Sequence, residues 1–244
     1  MKTSISDRSS PDSINLDRPV NSSGRTAGEW LFRHRTIVPL PLAIAILLLR
    51  VGEAPASAVL IAGGVALTVA GEAVRLWGVQ HIGVISRTRS DRLGPLVTTG
   101  PFAFVRNPLY LGNIALWAGF ALASRQVWLV PVTIVVLAVE YHAIVRWEEH
   151  LLEARLGEAY RDYAGRVPRW LPTLHRGALN RGDRRDNKDL GQLHTSAVSA
   201  VPAVQRDTLA NRDAFTWRET LFSERGTLIA IAVGYLLLWL KFKL

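Results

Sequence analysis

The sequence predicts an all-α protein, a polytopic membrane bundle of about five transmembrane helices, and three observations carry that reading. Of its 244 residues 49% are hydrophobic and 20% are charged, yet the mean hydropathy is positive, so the two classes are segregated along the chain. Apolar blocks almost free of charge alternate with arginine-rich loops, the pattern of helices solvated by lipid rather than water. Prolines stand at the starts of blocks, at Pro39, Pro41 and Pro108, where a missing N–H is tolerated.

The elements follow in order. Residues 1–29 are rich in Ser, Asp, Arg and Pro and lack an apolar core; they read as a disordered cytoplasmic tail and not as a secretory signal. A first span is expected over residues 36–49, extended back to Trp30 to reach the roughly 20 residues that a bilayer core needs. After a turn at 50–55, the second span covers residues 56–77. Its alanines 58, 62, 66 and 70 predict a packing seam, Glu72 and Arg75 stand three apart as an ion pair, and Trp77 suits the headgroup level. A loop over 78–107 carries four arginines and Gly-Pro breaks at 94–95 and 100–101. The third span, 108–123, and the fourth, 127–147, are joined by Ser124, Arg125 and Gln126 alone, which predicts an antiparallel pair. Residues 30–174 thus form the membrane core with its cytoplasmic segment and 175–226 a polar linker, in which 216–225 could lie on the membrane surface. A last span begins at Thr227 and closes the domain 227–244.

Charge sets orientation and excludes partners. The net charge of +9 resides largely in arginines that flank apolar blocks, among them Arg33, Arg35, Arg75, Arg87, Arg89, Arg92 and Arg106, so membrane lipids rather than nucleic acid account for it. The positive-inside rule places the N-terminus, the 78–107 loop and the region after Glu148 in the cytoplasm of a bacterial cell. With no cysteine, disulfides, thiolate zinc sites and a cysteine nucleophile are excluded. His142, Arg146 and His150 recur every four residues without a third ligand at zinc-motif spacing, so no metal is expected. Glu140 and His142, inside the fourth span, are expected to hydrogen-bond to a neighbouring helix. Nothing in the sequence determines an oligomeric state.

Two charged segments then fall on one face of the membrane. The first reads Gly100-Pro101-Phe102, then Arg106-Asn107-Pro108-Leu109-Tyr110-Leu111-Gly112. Asn107 is a good N-cap before Pro108, and a helix N-terminus beside Arg106 is a natural anion site. The second runs Glu148-Glu149-His150-Leu151-Leu152, then Tyr160, Tyr163 and Val167-Pro168-Arg169-Trp170-Leu171-Pro172. Adjacent carboxylates at a membrane exit require nearby cations.

Together these segments, over residues 75–172, resemble the isoprenylcysteine carboxyl methyltransferase and phospholipid methyltransferase family of integral membrane enzymes, with four elements in the family's order. The resemblance implies a cytoplasmic site for S-adenosylmethionine, with methyl transfer to a small lipophilic acceptor by carboxylate O-methylation or amine N-methylation. It assigns cofactor binding to Arg106, Asn107, Pro108, Tyr110, Leu111, Gly112, Glu148, Glu149, Leu152, Tyr160 and Tyr163, and catalytic roles to Arg106, Glu149 and Arg169, the last orienting an acceptor carboxylate. Many relatives carry His where this chain has Asn107. Two other readings are a sterol-reductase-like NADPH-dependent enzyme and a non-catalytic polytopic protein.

Overall fold

The computed structural model describes residues 22–83, 96–172 and 215–244. Within them the chain is all helical: α1 (Ser22–His34), α2 (Leu40–Leu48), α3 (Ala58–Ile82), α4 (Pro108–Ala123), α5 (Leu129–Leu156), α6 (Glu158–Arg166) and α7 (Trp217–Lys243), with a 3-10 turn at Gly100–Ala103. The helical membrane bundle expected from hydropathy is therefore what forms. Of the described helices, α3, α5 and α7 are long and apolar enough to cross a membrane, and α4 is a shorter apolar helix of 16 residues. Arg87, Arg89, Arg92, the 94–95 break and the linker up to residue 214 lie outside the described residues.

Three expectations are corrected. The single first span does not form: α1 stops at His34, and α2, nine residues long, begins after a turn closed by Ile37 and Val38 N–H bonds to the His34 carbonyl. Pro39 and Pro41 explain this, because each lacks the N–H that a continuous helix would use there. The chain is also helical from Ser22, inside the segment read as a disordered tail. At the other end, α7 starts at Trp217, ten residues ahead of the apolar block. A capping box between Thr216 and Glu219 satisfies its first N–H groups, and this outweighs the polar composition that suggested a linker.

The expected alanine seam on α3 is corrected as well. Ala58, Ala62, Ala66 and Ala70 are all exposed, and the buried face is Gly64, Thr68, Gly71, Glu72, Gly78 and Val79. Glycines at a spacing of seven let α3 and α4 touch backbone to backbone. A Cβ on Gly71 would stand 2.6 Å from the Gly112 carbonyl oxygen, and one on Gly119 at 2.6 Å from that of Gly64. Alanine is too large for that approach. On α5, Glu140 lies on the buried face with Leu137, Tyr141 and Ile144, and neither of its carboxylate oxygens has a hydrogen-bond partner among the described residues. His142 is exposed and stacks 6.5 Å from the Trp170 ring, and among the described residues neither side chain makes the interhelical hydrogen bond expected of it.

The antiparallel α4–α5 pair forms as expected, turning through Arg125 at φ 65. The C-terminal ends of α3 and α5 and the N-terminal ends of α4 and α7 consequently share one end of the bundle. At the opposite end α7 is anchored by Lys241, whose Nζ lies 2.7 Å from Glu53 and donates to the Leu49 carbonyl at 2.7 Å, while Arg125 pairs with Glu53 at 2.9 Å. Between the anchors α7 touches the bundle at Tyr235, whose hydroxyl meets that of Thr68 at 2.8 Å and whose ring stacks on Phe120.

Candidate functional site

Gly157, at φ 56, ends α5 and lets the chain reverse into α6, a conformation that favours glycine. The reversal lays Tyr160, Tyr163 and Val167 against Leu96, Leu152 and Leu156 as a small apolar cluster at the end of the bundle. Tyr163 donates its hydroxyl proton to the Phe102 carbonyl at 2.8 Å. The Arg106 N–H donates to the Pro168 carbonyl at 2.9 Å, and the Asn107 side-chain amide to that of Arg169 at 3.2 Å. The segment before α4 and the segment after α6 are thereby stitched together. Asn107 occupies the N-cap position of α4 but makes no side-chain cap; its amide Nδ2 donates to the stitch instead.

Glu149 is the centre of the polar cluster. Arg106 reaches its carboxylate at 2.9 Å and Arg169 grips it through Nε at 3.0 Å and Nη2 at 2.5 Å. Glu149 and Arg106 are largely buried, with side chains 12% and 14% exposed. Two guanidiniums share one carboxylate, so the cluster keeps one positive charge. The Arg106 Nε is buried without a hydrogen-bond partner among the described residues. Burial, and then the Glu149 charge, push the Tyr160 hydroxyl up to about 12 against a lowering hydrogen bond with Arg106, so it stays protonated at neutral pH. On the neighbouring turn, Tyr110 donates to Glu148 at 3.1 Å and packs on Tyr141 with ring centroids 4.8 Å apart.

These groups open onto one cavity of about 830 Å³. Its polar end is lined by Arg106, Asn107, Tyr110, Glu148, Glu149, Leu152, Tyr160 and Tyr163. From there it descends as an apolar arm between α2, α4 and α7, past Ala43, Ile46, Trp117, Phe120, Ile231 and Gly234. Beside the arm stands a second ionic cluster: Arg75 pairs with Glu72 at 2.9 Å, as its spacing predicted, and with Glu224 of α7 at 2.5 Å, and donates to Asn113. Two carboxylates against one guanidinium leave this cluster with one negative charge.

Four of the expected site residues stand elsewhere. Pro108 is fully buried as the first residue of α4, and Gly112 is part of the glycine seam, where a Cβ would meet Gly71 and Arg75. Leu111 is not among the residues that line the cavity. Arg169 pairs with Glu149 and is not among the residues that line the cavity. Conversely, Arg35, Arg75, Asn113, Glu224 and Thr227 line the cavity and were not singled out as site residues. Arg35 and Arg75 read in sequence as membrane-flanking cations, and Glu224 sat in a segment read as linker.

The paired segments, the glycine seam beneath them and the stitch to α6 fall largely within one stretch that a known family shares. Residues 59–159 match the phospholipid methyltransferase family. The match bears out the resemblance read from the motifs and includes every cavity-lining residue from Arg75 to Leu152. Tyr160, Tyr163 and Arg169 follow directly after the part matched to phospholipid methyltransferases, while Arg35 and Glu224 lie outside it on either side. The chain is 29% identical over 164 residues to the nickel-cobalt-cadmium resistance protein NccN of Alcaligenes xylosoxydans xylosoxydans, covering 64% of this chain and 73% of that protein. It is 30% identical over 120 residues to the cobalt-zinc-cadmium resistance protein CzcN of Cupriavidus metallidurans, and spans about half the length of that relative. No solved structure matches the chain.

Proposed function

We propose that this chain is an integral membrane methyltransferase that uses S-adenosylmethionine and methylates a lipid-like acceptor at the cytoplasmic end of the bundle. The observation that carries the reading is a cavity of about 830 Å³, polar and charged at one end and apolar along its arm. A volume near the upper part of the usual range for small-molecule sites, roughly 300–1,000 Å³, leaves room for a donor and part of an acceptor. The polar end fits the donor on an observation of its own. The Arg106–Glu149–Arg169 cluster retains a positive charge and an unpartnered buried Arg106 Nε, suited to a carboxylate, while Glu148 is available to an ammonium and the Tyr110 and Tyr160 rings to adenine.

When bound, S-adenosylmethionine supplies a methyl group on a sulfonium, which is already an activated leaving group. The chain's contribution is then positioning, which can be worth as much as about 7–11 kcal/mol of barrier when alignment is good. Arg106 and Asn107 orient the polar end, and Glu149 fixes Arg106. Tyr160 and Tyr163, held by α6, cover the site and keep water from it. Glu148 Oε1 accepts the Tyr110 proton in a hydrogen bond, which leaves Oε2 as the atom able to take a proton from an amine acceptor. The arginines of this end favour the cytoplasmic side. Among the described residues no three His, Cys, Asp or Glu side chains stand together to hold a metal ion.

The test is incubation of membranes containing the protein with methyl-labelled S-adenosylmethionine, followed by solvent extraction. Label is expected in the lipid fraction; label in neither lipid nor protein, with the wild type folded, would overturn the assignment. Arg106→Ala and Glu149→Gln are each expected to weaken donor affinity by about tenfold or more, as for loss of a charge-assisted hydrogen bond of roughly 1.5–3 kcal/mol.

A further inference from the structure

The cavity is lined by three guanidiniums, and two of them are already ion-paired: Arg106 with Glu149, and Arg75 with Glu72 and Glu224. The third, Arg35, makes no ion pair among the described residues; its guanidinium stacks on its own segment's Phe32 ring at 4.5 Å. Arg35 stands in the turn between α1 and α2, outside the stretch shared with phospholipid methyltransferases. Its position along the cavity is informative. The residues that follow it, Thr36, Pro39, Ala43, Ile46 and Leu47, form one wall of the apolar arm. On its other side it is close enough to Glu148 for its charge to act on that carboxylate.

An unpaired cation at the head of an apolar channel is matched by an anionic group at the head of an apolar chain. A guanidinium binds phosphate or carboxylate through paired N–H donors, and the Phe32 ring holds it without neutralising it. We infer that Arg35 is the specificity-determining residue for the methyl acceptor, receiving its phosphate or carboxylate while the chain of the same molecule lies along α2 in the apolar arm. This rests on the methyltransferase reading for the word acceptor; the binding of an anionic amphiphile at Arg35 does not depend on it. The donor's carboxylate is the competing occupant. The neighbouring cavity wall decides against it, because Arg35 leads into the apolar arm whereas Arg106 lines the polar end.

The experiment uses the full chain purified in neutral detergent, with dodecyl phosphate and its uncharged twin dodecanol as probes, and measures S-adenosylmethionine affinity separately. Wild type is expected to prefer dodecyl phosphate by about tenfold or more. Arg35→Gln is expected to abolish that preference and leave donor affinity unchanged, and Arg35→Lys, which keeps the charge, to retain most of it. Thermal unfolding of each variant checks that it is folded. The inference is overturned if Arg35→Gln keeps the preference, or if it weakens donor binding about tenfold while the preference survives. Failure of wild type to bind S-adenosylmethionine would sink the methyltransferase reading, and the two amphiphile titrations would still decide the role of Arg35.

Discussion

At the scale of single residues, burial and pairing separate groups that look alike in sequence. Arg106 and Arg169 both hold Glu149, yet only Arg106 lines the cavity. Removing either takes the same unit charge from the cluster, so a comparison isolates contact from net charge. Arg169→Ala is expected to weaken donor affinity less than Arg106→Ala by calorimetric titration, because it leaves in place Arg106, the guanidinium that lines the cavity; equal losses would mean that charge alone governs. The motif order singled out Arg106, Tyr110, Glu148 and Glu149, and all four line the cavity. It could not show that Gly112 serves helix packing, since a glycine that admits a ligand and one that admits a neighbouring helix leave the same mark in a sequence.

At the scale of elements, the boundaries of α4 were readable because Pro108 and the short turn after Ala123 are local signals. Which face of α3 meets it was not. Small residues occur on two faces of α3, alanines at a spacing of four and glycines at a spacing of seven, and only contact with α4 selects between them. Gly71→Ala would force a Cβ to 2.6 Å from the Gly112 carbonyl oxygen and is expected to destabilise the protein by about 1–3 kcal/mol. Ala66→Leu, on the exposed face, is expected to stay within roughly ±0.5 kcal/mol. Unfolding in mixed detergent distinguishes the two; equal effects would contradict the glycine seam.

At the scale of the whole molecule, α7 closes the cavity and is fastened at both ends by ion pairs, Arg75–Glu224 at the site and Lys241–Glu53 opposite it. Burial alone would raise the Glu53 carboxyl, but the hydrogen bond and charge of Lys241, with Arg125 and Arg50, outweigh it and hold Glu53 below the usual carboxylate range. A carboxyl depressed in the folded state contributes stability above its unfolded pKa and loses that contribution as pH falls through the folded value. The melting temperature of wild type is therefore expected to exceed that of Glu53→Gln at neutral pH and to converge on it under acid conditions. A gap that stayed constant with pH would show that the anchor does not depend on the Glu53 charge.

What this sequence determined by itself was the helical membrane class and the two charged segments, because hydropathy, helix starts and stops and motif order are written in near neighbours along the chain. The tertiary structure alone decided that the first span breaks into α1 and α2, that glycines rather than alanines carry the α3–α4 contact, and that Glu224 reaches Arg75 across 149 positions of sequence. The same holds for Arg35, which has no ion-pair partner among the described residues. Its charge is visible in sequence, but whether a cation is spent on a carboxylate or left for a ligand depends on which side chains the folded bundle brings within reach.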